Sequence, residues 1–136
     1  MRRRRTRGFS LIDALVALAI LSFGLLALTR FQGRLMSQMT DSQSRGTANR
    51  FADELLSMAL VDPANLACYT LPAAGACGNA AARAATDAWL VRLQGALPGS
   101  AAATATAAGT RLTVVVSWTG KAENEARQLT ATTDVQ

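Results

Sequence analysis

The sequence predicts an α+β protein in which one long N-terminal helix, transmembrane over its first half, packs on a small antiparallel β-sheet. Three observations carry that expectation. An apolar run from Phe9 to Thr29 passes, without a proline, into a helical pattern that lasts to Val61. Segments rich in threonine and valine follow Pro98-Gly99 and are separated by turn signals. Two cysteines, Cys68 and Cys77, lie in the connection between helix and strands.

Length allows one folded domain besides the N-terminal segment in a chain of 136 residues. The apolar run leaves about a hundred residues for a body, and a core that small benefits from a staple or from packing on a long helix. The formal charge of +5 is unevenly placed, because five of the fourteen basic residues (Arg2, Arg3, Arg4, Arg5 and Arg7) precede Gly8. The remainder holds nine basic and nine acidic residues and is formally neutral. Basic residues ahead of an apolar run are held on the cytoplasmic side of a membrane. No aromatics interleave with these arginines, so a nucleic-acid partner is not favoured.

Residues 1–8 read as a basic leader. A secretory signal places its small-residue cleavage site after the apolar core. Here the small residue, Gly8, stands before it, so a cut at that point removes the charges and keeps the helix. Residues 9–29 carry Leu11, Ile12, Leu15, Val16, Leu18, Ile20, Leu21, Phe23, Leu25, Leu26 and Leu28, and about 20 such residues span a bilayer as a helix. Ser22 and Gly24 weaken its middle while permitting close helix approach.

Residues 30–136 are expected as a periplasmic domain. Its first part, 30–61, continues the helix, with Phe31, Leu35 and Met39 on one face. The stretch Asp41–Thr47 is polar all round and contains Gly46, so a bend or fray is expected there. An apolar stripe then resumes at Ala48, Phe51, Ala52, Leu55, Met58 and Ala59 and is expected to pack on the chain's own body. Asp62-Pro63 ends the helix, because a residue before proline is pushed out of helical geometry. Residues 62–78 form a loop holding Cys68 and Cys77, and an even cysteine count in a small exported domain reads as a disulfide. Residues 79–96 form a second helix with Asn79 as a fair N-cap and Ala81, Ala85, Trp89 and Leu93 on one face. Trp89 reads as a core anchor. Strands are expected over 100–107, 111–118 and 127–135 as a meander, with Arg111–Trp118 the strongest.

Catalytic chemistry finds no home in this sequence. It has no histidine, no serine in a nucleophile-elbow context and no glycine-rich phosphate loop. Two cysteines alone do not close a zinc shell, and no cofactor is expected. The one unusual charge is Asp13, inside the apolar run. One reading places it near the helix end, reaching the interface. The stronger reading follows from a cut between Gly8 and Phe9: the new Phe9 amine of one chain pairs with Asp13 of its neighbour and fixes their register.

Gly8-Phe9-Ser10-Leu11-Ile12-Asp13, between a basic cluster and an apolar run, resembles the class III signal of type IV prepilins and pseudopilins. Within that group Ile20–Leu28, Phe31-Gln32, Trp89, Leu97-Pro98-Gly99 and Val114–Trp118 are similar to the PilV minor pilins, the type IV pilus modification proteins. The resemblance implies the type IV pilin fold, cleavage between Gly8 and Phe9 by a prepilin peptidase, N-methylation of Phe9 and an assembly role for Asp13, where the family usually has glutamate. It implies a non-enzymatic subunit, held in the inner membrane and then incorporated in a pilus at the cell surface. It would help prime assembly at or near the fibre tip and serve adhesion or twitching motility. Implied partners are other minor pilins, the major pilin, the assembly platform of the inner membrane and a tip adhesin. A minor pseudopilin of a type II secretion system and a DNA-uptake subunit are the alternatives in the same group. An uncleaved single-pass protein with a small exported domain is the alternative outside it.

Overall fold

The computed structural model describes residues 11–120 and 125–136. Residues 1–10, which include the basic leader, Gly8 and Phe9, and residues 121–124 lie outside the described residues. The elements are helix α1 (Leu11–Val61), a 3-10 helix (Pro63–Tyr69), helix α2 (Ala80–Ala96) and strands β1 (Ala102–Ala108), β2 (Arg111–Thr119) and β3 (Ala126–Asp134). The chain divides into two compact units, residues 1–38 and 39–136.

The second unit holds the core. Its strands pair antiparallel in the order β1-β2-β3, with Ala105 opposite Val114 and Val114 opposite Ala131. A two-residue turn, Gly109-Thr110, joins β1 to β2, and Gly109 takes a φ of 62°, which glycine adopts without a Cβ penalty. Leu112, Val114, Val116 and Trp118 alternate to one face of β2 and are all buried. Against them lie Ala48, Ala52, Leu55, Leu56 and Ala59 of α1 with Trp89 and Leu93 of α2. Ala48, Ala52 and Ala59 are each fully buried. This is the α+β arrangement of a long helix packed on a three-stranded antiparallel sheet.

Helix α2 begins where Asn79 caps it: its Oδ1 accepts from the amides of Ala81 and Ala82 at 3.1 and 3.2 Å. Its buried face is Ala82, Thr86, Trp89 and Leu93 rather than the expected Ala81, Ala85, Trp89 and Leu93. A strict four-residue step drifts around a helix of 3.6 residues per turn, whereas mixed steps of three and four stay on one side. Thr86 is tolerated inside because its hydroxyl donates to the carbonyl of Ala82. Trp89 is fully buried, and its Nε1 donates to the carbonyl of Phe51 at 3.0 Å. The Phe51 and Trp89 rings meet edge to face with centroids 6.1 Å apart. Arg92 lies over Phe51 and pairs with Glu54 at 2.6 Å, an exposed bridge worth little by itself.

Two expectations are corrected here. Residues 41–47 do not fray, since α1 runs through them. Ser44 and Thr47 return their hydroxyls to the carbonyls of Thr40 and Gln43, and Arg45 pairs with Asp41 four residues earlier. Asp41 also faces Arg127 of β3 at 3.7 Å, a partner no local pattern announces. The segment 62–78 is likewise not all loop, because its first half winds into the 3-10 helix. Asp62 organises it: its carboxylate accepts from the Asn65 amide at 2.8 Å, the Tyr69 hydroxyl at 3.3 Å and the Asn79 amide at 3.4 Å. Burial, with Asp62 beside it, pushes the Tyr69 phenol above its ordinary range.

Cys68 and Cys77 are joined in a disulfide. Cys68 is fully buried in the core. Leu71, three residues on, exchanges backbone hydrogen bonds of 2.9 and 2.8 Å with Ala105 and so ties the segment to the free edge of β1. Arg83 of α2 donates to the carbonyls of Cys68 and Thr70 from the other side. Removing the crosslink by Cys77→Ser should lower stability by about 2–3 kcal/mol, the value for a short loop. Chemical denaturation of the oxidised wild type beside the variant measures it. A midpoint unchanged by the substitution would show the disulfide to be thermodynamically idle.

Candidate membrane and assembly segment

The functional candidate is the first unit, where the described residues form the N-terminal part of α1. Leucine and alanine dominate residues 11–29, and both are good helix formers with little rotamer entropy to lose. The apolar side chains do not pack inward. Leu11 is 84% exposed and Phe23 75%, and Leu15, Leu18, Ile20, Leu21, Leu25, Leu26 and Leu28 are exposed as well. Exposure of this many contiguous apolar groups is not compatible with water as the only neighbour. By length and composition α1 holds one stretch able to cross a membrane, and none of that stretch is buried.

Polar groups in the stretch are disposed for an apolar medium. Ser22 donates to the carbonyl of Leu18 at 2.7 Å, and Thr29 to that of Leu26 at 2.9 Å. Each hydroxyl is thus satisfied within the helix. Gly24 has open space around the position of a Cβ, and the helix continues through it unbroken. A residue this small permits close approach of another helix.

Asp13 lies in the first turn of α1 and is exposed. Among the described residues no ion pair engages it. Gly8 and Phe9, the proposed cut and the proposed methylation site, lie outside the described residues. Beyond the apolar stretch, Phe31 and Leu35 remain exposed on α1, as does Met39 at the start of the second unit. No group of three or more metal-binding side chains occurs among the described residues.

In the second unit, a cleft of about 580 Å³ lies between the disulfide segment and β1, lined by Leu66, Leu71, Pro72, Ala105 and neighbours. No titratable side chain lines it. It has the surroundings of a packing defect at a sheet edge rather than of a reaction site.

Residues 3–29 match the family model described as the prokaryotic N-terminal methylation motif. That motif is a prepilin signal of the type IV pilin kind, and it points to a pilin- or pseudopilin-like structural subunit. It implies processing by a prepilin peptidase and, with the apolar helix behind it, is consistent with membrane anchoring. No curated protein and no solved structure matches the chain.

Proposed function

We propose that the protein is a minor type IV pilin of the PilV kind, a structural subunit that helps prime pilus assembly and enters the fibre at or near its tip. One observation carries this reading: a methylation motif over residues 3–29 runs straight into a helix whose apolar half is bare and whose other half anchors a small disulfide-bonded α+β body. An apolar helix leaves a bilayer only by exchanging lipid for neighbouring helices, and helical assembly into a fibre provides that exchange.

On this reading residues 1–8 are a disposable leader, 9–29 the membrane and assembly helix, and 30–136 a periplasmic domain. Prepilin peptidase cuts between Gly8 and Phe9 and methylates Phe9. The subunit waits in the inner membrane, meets other minor pilins and the major pilin at the assembly platform, and reaches the cell surface in the pilus, where it supports adhesion. Mass spectrometry of the protein purified from membranes tests the first step. The expected N-terminus is methylated Phe9, and an intact Met1 would overturn the reading. Recovery in sheared surface fibres separates a pilus subunit from a pseudopilin of a secretion system, which would stay with the cells.

A further inference from the structure

The apolar run ends in two arginines whose position needs a reason. From Phe9 to Thr40 the only basic residues are Arg30 and Arg34, and the only acid is Asp13. Orientation rules keep arginine on the cytoplasmic side, yet these two follow the run on the side that would be translocated. The leader's five arginines outnumber them before processing. After a cut at Gly8 the balance is reversed, and Arg30 and Arg34 are the only basic side chains flanking the span.

Both arginines are exposed, and neither forms an ion pair among the described residues. They stand four apart on a continuous helix and so share a face, one turn above the other. Leu11–Leu28 is about 27 Å of helix, close to the ~30 Å thickness of a hydrocarbon core. Arg30 therefore falls at the level of the headgroups and Arg34 just outside it. Phe31, exposed beside Arg30, is an aromatic at the depth where membrane proteins place their belts.

We infer that Arg30 and Arg34 form a clamp for the phosphate of an anionic phospholipid in the translocated leaflet, fixing how deeply the processed subunit sits before assembly. The inference rests on the membrane-spanning reading of α1. Guanidinium groups suit the task because their planar forks donate paired hydrogen bonds to phosphate oxygens, and their stems lie along apolar surface while the heads reach out. The nearest acid along the helix beyond them, Asp41, is already engaged by Arg45 and Arg127, so no carboxylate of the same helix competes. An acidic face of a neighbouring subunit is the rival occupant. It is less favoured because the pair lies at headgroup depth rather than along the solvent-facing stretch of α1.

The test uses the full chain, solubilised from membranes in mild detergent and titrated with phosphatidylglycerol or phosphatidylcholine under native mass spectrometry. Wild type should retain phosphatidylglycerol in preference. The double variant R30Q/R34Q should lose retention by roughly ten- to thirty-fold, as expected for two basic groups at a lipid surface. Arg50→Gln, an exposed arginine farther along the same helix, should leave retention unchanged. Equal retention by the double variant and wild type would overturn the clamp, as would displacement of the lipid by millimolar inorganic phosphate. If the double variant binds lipid normally but no longer co-purifies with other pilins, the arginines serve a subunit contact and the lipid inference falls. Alkaline carbonate extraction of wild-type membranes is run in parallel. Release of the chain there would remove the membrane-spanning reading itself, a failure distinct from loss of the clamp alone.

Discussion

Trp89→Ala should cost the folded body about 3–5 kcal/mol, the range for emptying a buried aromatic site. Trp89 is fully buried and joins α1, α2 and the sheet in one cluster. Truncation opens a cavity that neighbouring backbone cannot fill, because helix α1 and the sheet are each held by their own hydrogen bonds. It also removes the donor to the Phe51 carbonyl and the edge-to-face contact with the Phe51 ring. For a domain of about a hundred residues that loss corresponds to a fall in Tm of roughly 15 °C or more. Near-UV circular dichroism followed through thermal unfolding reads it directly. Phe51→Leu, which keeps a smaller apolar side chain at a partly buried site, should cost about 1–2 kcal/mol. A fall no larger for Trp89→Ala than for Phe51→Leu would show that the core is not centred on the indole.

Asp13→Ala should leave processing intact and lower the amount of subunit in sheared fibres by about ten-fold or more. In the proposed assembly the carboxylate meets the Phe9 amine of a neighbouring chain. Alanine leaves that amine unpaired among apolar helices, and an uncompensated buried charge costs several kcal/mol. Cleavage is read by the mass of the membrane form, and incorporation by immunoblot of the fibre fraction. Asp13→Glu keeps the charge with one more methylene and should incorporate at least as well as wild type. Asp13→Ala at wild-type levels in fibres would rule the pairing out. Loss of cleavage in the same variant would move the role of Asp13 to peptidase recognition.

The two predictions differ in how their residues were visible. Asp13 is conspicuous in sequence because a charge in an apolar run violates the composition around it. Trp89 is visible as an anchor from its type and its place on an amphipathic pattern, but the acceptor of its indole N–H is not, because Phe51 lies 38 residues away. The same distance effect explains the two corrected segments. Residues 41–47 look weak because propensity sums only local terms, while Asp41 is also met by Arg127 from the far strand. The 3-10 helix is not legible as such in the sequence because what holds it is Asp62, whose partners Asn65, Tyr69 and Asn79 lie three, seven and seventeen residues on, with no period.

Local chemistry alone was enough for the leader charge, the apolar span, the helix end at Asp62-Pro63, the Asn79 cap and the strand character of residues 111–118. Each depends on neighbours within a few positions, through backbone geometry, capping or hydropathy. Only the tertiary structure decided which face of α2 turns inward, that Leu71 binds the edge of β1, and that Asp41 and Asp62 are junctions rather than solvated acids. Those outcomes depend on which distant groups arrive within 4 Å, and hydrogen bonds and packing at that range leave no periodic trace along the chain.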